Sequence, residues 1–227
     1  MKIGIITAMP IELEYLLKNI TITEEKQLNR NTFYIGTYGE FELVLVTSGV
    51  GKSNAVAYTQ MLLDYFKPDC LFNLGIAGGL QAGLKPLDII VGSHYSHHDV
   101  NVTQMNKLFP YTSKFETNPL LVDFVLTNIS NSLKGGIVSG EQFIGSNKEK
   151  QIIIEKFGAV AVDMESSAIA HTCFINNIPF VAIRGISDLA DDSAHDTYDV
   201  NEKQVSDYVG ESFLKMIGKG DFTQSMG

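Results

Sequence analysis

Arginine is nearly missing from this chain: Arg30 and Arg184 are the only two in 227 residues. With a formal charge of −9, the sequence has no clustered Lys and Arg of the kind that a sequence-independent grip on nucleic acid or anionic lipid requires. A small anionic or neutral ligand stays open. Cysteine is equally scarce. Cys70 and Cys173 sit among apolar neighbours, which suits small core residues better than a disulfide framework, a CxxC pair or a metal set. No apolar run approaches the roughly 20 residues of a membrane span. The opening, MKIGIITAMP, is too short and too strand-like for a signal peptide, so a cytoplasmic location is expected. Linkers rich in Pro, Gly or Ser, internal repeats and low-complexity segments are lacking too. Residues 1–227 therefore read as one domain, with a loose tail over about 219–227.

What is present is apolar material, 44% of the chain, enough for a substantial core. Residues 2–8 form a β-rich run, and MPIELEYLLKNI follows with helical spacing and Pro10 suited to a first turn. Glu12 falls in that turn, where the helix dipole favours a negative charge. An alternating stretch from about 30 to 48, with Gly39 and Glu40 at its turn, predicts a hairpin. GVGKS then opens an amphipathic helix that Pro68 closes. It lacks the GxxxxGK[ST] spacing of a triphosphate loop and reads as a tight turn with a backbone contact to ligand in reach. CLFNLGIAGGL is an apolar strand whose small residues at the carboxyl end let a flat ligand approach the backbone. LDIIVGSHYSHHDV is another strand, and 101–118 a polar and aromatic loop. His94, His97 and His98 have no HExxH or Cys partner, so hydrogen-bonded or interfacial histidines are expected, with no metal. A helix over NPLLVDFVLTNISNS, a strand over GGIVSGEQFIGS, and a helix and short strand over QIIIEKFGAVAVDM follow, and after Asp188 a loop, LADDSAHDTYD, leads to a terminal helix over VNEKQVSDYVGESFLKMIGK. The alternation predicts an α/β fold, three layers α/β/α around a mixed central sheet.

The chain is organised around AVAVDMESSAIAHTCFINNIPFVAIRGISD. Asp163 and Glu165 flank Met164, a helical run follows, and a buried-looking strand carries Arg184 and ends in Ser187 and Asp188. An arginine inside an apolar strand demands a carboxylate or a polar ligand. The carboxyl ends of strands in open α/β sheets are where ligands tend to bind. The plainer readings, a helix-start acid and a strand-end turn, suit each carboxylate singly and the combination less well.

Segments KIGIITAMPIELE, SGVGK, NLGIAGGL, HHDVNVT, VSGEQFI, AVDMESSAIAHTC and IRGISDLAD recur in the order and spacing of one family. On them the chain resembles, nearly end to end, the 5′-methylthioadenosine/S-adenosylhomocysteine nucleosidases of the nucleoside phosphorylase superfamily. The resemblance implies hydrolysis of an adenine nucleoside, 5′-deoxyadenosine being a further substrate, by a homodimer without cofactor. It implies Asp188 as the acid that protonates purine N7, Glu12 as the base that orients water, and Glu165 as the carboxylate on the ribose hydroxyls, with Met164 against the sugar. Arg184 resembles the residue that helps fix that water and its carboxylates. Phe143 resembles the ring stacked on adenine and the Ile144 backbone the reader of the base edge. Val50, Ala77, Gly78 and Val162 look like further walls, with Asp163 and Ser187 beside them. Tyr198 stands where Phe is usual against the 5′ substituent. Val102, Met105 and Pro110 resemble residues that a neighbouring subunit contributes. Asp163 stands where Glu is commoner, Ile76 where Ser is commoner and Met105 where Phe is usual, departures that bear on the ribose or base contact and on the 5′ pocket.

Chemistry agrees with these types. Cleaving an N-glycosidic bond needs a proton at N7 and negative charge or acceptors near an oxocarbenium-like sugar. A phosphate nucleophile wants several cationic donors, and Glu12 would repel it, so water is the consistent nucleophile. A phosphorylase or futalosine hydrolase of the same fold is the alternative, kept open by Ile76, and a nucleoside-binding module without turnover is a third. The 101–118 loop, short of charge and rich in Met105, Leu108, Phe109, Pro110, Tyr111 and Phe115, is expected at the subunit interface.

Overall fold

Consecutive side chains of an extended strand point to opposite faces, and the first strand uses both. Ile3 and Ile5 of β1 (Lys2–Thr7) join one apolar cluster and Ile6 joins another. The computed structural model describes residues 1–219, and most of the tail read as loose lies outside them. After β1 come α1 (Pro10–Asn19), β2 (Thr21–Leu28), β3 (Asn31–Tyr38), β4 (Phe41–Thr47), α2 (Lys52–Phe66), β5 (Cys70–Gly79) and β6 (Ile89–His97). Then follow α3 (Val102–Lys107), β7 (Phe115–Glu116), α4 (Pro119–Asn128), β8 (Ser132–Ser139), α5 (Asn147–Phe157), β9 (Ala161–Asp163), α6 (Ser166–Asn176), β10 (Phe180–Asp188) and α7 (Ala194–Ile217).

One mixed sheet carries all the strands of the described residues, in the order β10-β6-β8-β9-β5-β1-β4-β3-β2 with β7 on β6. Helices α1, α4 and α7 cover one face: Leu13, Leu16, Leu121, Val125, Val205, Val209 and Phe213 pack with Ile3, Ile5 and Leu45. Helices α2 and α6 cover the other, where Ala55, Leu62, Ile169 and Cys173 pack with Ile6, Val44 and Val46. This is the three-layer arrangement that the alternation of strands and helices predicts.

Four features differ from the sequence reading. β10 also pairs with β5, so β5, β9, β8, β6 and β10 close into a ring. β2, an exposed edge strand of sequence TITEEKQL, pairs with β3 yet buries no apolar face that would mark it. The 101–118 loop contains α3 and β7. α7 starts at Ala194 rather than after Asp199, so AHDTYD is helix and Tyr198 is carried on it.

The register of the ring sets the site. Arg184 lies opposite Gly75 and Asp188 opposite Gly78 across β10 and β5. Gly78 in turn pairs with Val162 of β9, and Asp163 pairs with Ser139 of β8. The carboxyl ends of β5, β8 and β10 therefore meet at one place.

Candidate active site

Arg184 is fully buried. Its Nε lies 2.8 Å from Asp163 Oδ2 and its Nη2 2.6 Å from Asn73 Oδ1. Glu165 Oε2 is 3.7 Å from Nη2, and Glu12 Oε1 is 4.0 Å from Nη1. Burial works to lower the guanidinium pKa, but Asp163, Glu12 and Glu165 together outweigh it, so the net shift is upward and the group stays charged. Gly75 makes this possible. A Cβ there would stand 2.2 Å from Arg184 Nη1 and 2.4 Å from Glu12 Oε1.

Glu12 sits in the first turn of α1, and its carboxylate accepts the Ala8 and Met9 amides at 2.8 and 2.9 Å and the Ile76 amide at 3.0 Å. Burial raises its pKa against the pull of Arg184 and these amides. Glu165 accepts the Gly51 amide at 2.8 Å, which is where the backbone of the GVGKS turn is spent. Burial, and then the Asp163 carboxylate, push Glu165 up to about 7. Asp188 accepts the Ala190 amide and the Ser187 hydroxyl, both at 2.8 Å. Burial still raises its pKa, the condition a carboxylic acid needs to carry a proton near neutrality.

Glu12, Glu165 and Asp188 line one cleft of about 330 Å³, with Ala8, Met9, Val50, Ile76, Ala77, Gly78, Phe143, Val162, Asp163, Met164, Ser187, His195, Tyr198 and Asp199. That volume is within the range of small-molecule sites. A small annexe shares Gly78, Phe143, Val162, Asp163, Met164 and Asp188 with it and adds Gln142 and Ile144. Gly78 keeps the floor flat, since a Cβ would meet Asp188 Oδ1 at 3.1 Å and Val162 Cγ1 at 3.3 Å. Half-exposed Phe143 stands at the mouth, stacked on His195 at 4.5 Å and edge-on to Tyr198 at 5.8 Å. The Tyr198 hydroxyl donates to Glu202 at 2.9 Å.

Of the residues expected at the site, Val102, Met105 and Pro110 do not line this cleft; Met105 packs on the second core cluster and Pro110 is buried in its own loop. Arg184 stands behind the wall, facing the three carboxylates of Glu12, Asp163 and Glu165. Asp163 lines the cleft, but its oxygens are taken by Arg184, Ser139, Ser166 and two backbone amides, so it braces the site from within. Asn73 was missed. It is buried, donates to the Ile6 carbonyl at 2.9 Å and accepts Arg184, and a lone amide in CLFNLG is the same kind of signal as the arginine in VAIRG. His195 and Asp199 were missed because nothing in their segment marks the face they present. Among the described residues no group of three or more His, Cys, Asp or Glu is arranged to hold a metal ion.

This fold and cleft define a class: the phosphorylase superfamily model matches residues 2–219, and the chain belongs to that superfamily. The 5′-methylthioadenosine/S-adenosylhomocysteine nucleosidase of Buchnera aphidicola subsp. Acyrthosiphon pisum (strain APS) is 37% identical over 226 residues, covering 96% of each chain. The nucleosidase of the same name from S. pneumoniae, solved with the transition-state inhibitor MT-ImmA, superposes with a TM-score of 0.91 at 31% identity, over 96% of this chain and 99% of that one. Futalosine hydrolase of Helicobacter pylori strain 26695 gives 0.89 at 27% identity, over 96% and 98%. Within the superfamily the chain belongs to the family of the 5′-methylthioadenosine/S-adenosylhomocysteine nucleosidases.

Proposed function

We propose that this protein hydrolyses the N-glycosidic bond of 5′-methylthioadenosine and S-adenosylhomocysteine, releasing adenine and the 5′-thioribose, a step of methionine and S-adenosylmethionine salvage. The observation that carries the reading is the convergence of Glu12, Glu165 and Asp188 on one cleft. Asp188 gives its proton to purine N7 as the C1′–N9 bond breaks and the bonding pair leaves with the base. Glu12 takes a proton from water as the water oxygen bonds to C1′. Glu165 accepts the ribose hydroxyls, and its charge steadies the cationic sugar. Phe143 covers the base, and Met9, Tyr198 and Val50 are left for the 5′ substituent.

Water as nucleophile is supported by what surrounds Glu12. No lysine or arginine lines the cleft among the described residues, and the nearby guanidinium is neutralised by three carboxylates. Phosphate would meet carboxylates where it needs donors. Futalosine hydrolysis is the second reading, favoured by the likeness to that enzyme and by Ile76 in the wall. Initial rates of adenine release from 5′-methylthioadenosine and S-adenosylhomocysteine, beside base release from inosine and futalosine, separate the two. The first pair is expected to dominate; futalosine cleaved in preference would overturn the reading.

The fold acts as a single domain in the cytoplasm, in keeping with the free buried thiols of Cys70 and Cys173. The 101–118 segment forms part of a homodimer interface. Leu108, Phe109 and Tyr111 are 57%, 67% and 71% exposed, an apolar patch a monomer would leave in water. Val102 and Met105, both part-buried, belong to the same segment and would serve a partner's cleft, whereas Pro110 is buried by its own loop. Light scattering is expected to give twice the chain mass of 25.0 kDa; a monomer would remove this assignment.

A further inference from the structure

The turn that carries Met164 and Glu165 is short, and its direction decides where Glu165 meets a sugar. Ser139, at the end of β8, donates its hydroxyl to Asp163 and accepts the amide of Ser167 at 2.8 Å. Asp163 accepts the amides of Glu165 and Ser166 at 3.2 and 3.1 Å. Ser167, fully buried in the first turn of α6, places its hydroxyl 2.7 Å from Nδ1 of His97. His97 ends β6 and is buried as well, with Nε2 3.4 Å from Nδ1 of His171. His171 stacks on Phe115 of β7 at 4.3 Å and 18°.

A neutral imidazole offers one N–H and one lone pair. Ser167 and His171 take one each, so the His97 ring is fixed at both ends whichever nitrogen carries the proton. Burial pushes His97 down to about 4, which keeps it neutral near pH 7. His97 lines no part of the cleft.

We propose that His97 is a positioning residue for the reaction: by holding Ser167 it sets the first turn of α6, and so the direction from which Glu165 meets the ribose. The chain from Phe115 through His171 and His97 also ties the 101–118 segment to that turn. The proposal rests on the role given to Glu165 above.

His97→Leu and Ser167→Ala test it, with His97→Asn as the conservative variant. Asn puts an acceptor the same number of bonds from Cα as Nδ1, within reach of Ser167. Both disabling variants are expected to lower kcat for adenine release from 5′-methylthioadenosine about 10–100-fold, the scale on which supporting hydrogen bonds act. KM is expected to change by less than about threefold, because the missing interaction belongs to the transition state. The double variant is expected to be no slower than His97→Leu, since both remove one link. His97→Asn recovers most of kcat. If His97→Leu does not fold, Ser167→Ala decides the matter alone. A kcat within about twofold of the parent for folded Ser167→Ala, or losses that multiply in the double variant, would overturn the proposal. A parent protein that releases no adenine would overturn the reaction instead, so the two failures are distinguishable.

Discussion

Asp188→Asn is expected to lower kcat/KM for 5′-methylthioadenosine by about 10²–10⁴-fold, the usual contribution of one general acid, without unfolding the protein. The amide has the carboxyl's shape: its oxygen can still accept the Ala190 amide, while its NH2, in place of Oδ2, donates to the Ser187 hydroxyl, which turns from donor to acceptor. It cannot give up a proton to N7. The pH profile makes the test sharper. Burial raises Asp188, so its acid form persists to higher pH than an ordinary aspartic acid and is lost as pH rises through the folded pKa. That sets an alkaline limb. Glu12 must be ionised to take a proton from water and Glu165 to steady the sugar, so their raised pKa values, about 7 for Glu165, set an acid limb. The parent is expected to show both limbs and Asp188→Asn only the acid one. A variant within about threefold of the parent, with an unchanged profile, would remove Asp188 from the chemistry.

Arg184→Met is expected to cost about 3–5 kcal/mol of stability, the range for breaking a buried ion pair from one side. The guanidinium is fully buried against Asp163 at 2.8 Å and faces Glu165 and Glu12 at 3.7 and 4.0 Å. Methionine fills much of the volume but strands those carboxylates without a cation. For a chain of this length the loss corresponds to a fall of about 6–20 °C in Tm. Arg184→Lys is expected to recover little. One ammonium has no planar fork to serve Asp163 through Nε and Asn73 through Nη2 together. Denaturant and thermal melts of the two variants check this, and a Tm within about 2 °C of the parent for Arg184→Met would contradict the buried-cluster account.

Much of this was legible in the residues because it obeys local rules. Continuous apolar, β-rich runs marked β1, β5 and β10, helical spacing marked α1 and α2, and the arginine in VAIRG announced a buried partner, found in Asp163. β2 stayed hidden since an edge strand of TITEEKQL buries almost nothing and carries no apolar signature. The ring of β5, β9, β8, β6 and β10 depends on sheet curvature, which pairing in space decides and a linear pattern does not record. The carboxylates were found by motif, yet the division of labour between them was not: Asp163 turns inward to brace Arg184 while Glu165 faces the cleft, a difference of side-chain direction across two residues. His195 entered the site because α7 starts at Ala194, where a polar stretch reads as loop until its buried neighbours are known.

The central claim is that Asp188 and Glu12 split the adenine glycosidic bond with water. Its most direct test is the product of 5′-methylthioadenosine cleavage at saturating phosphate, resolved by mass, beside the rate with phosphate removed. Adenine with an equal amount of unphosphorylated methylthioribose, at a rate indifferent to phosphate, is the expected result. A sugar 1-phosphate, or no adenine until phosphate is added, would contradict it.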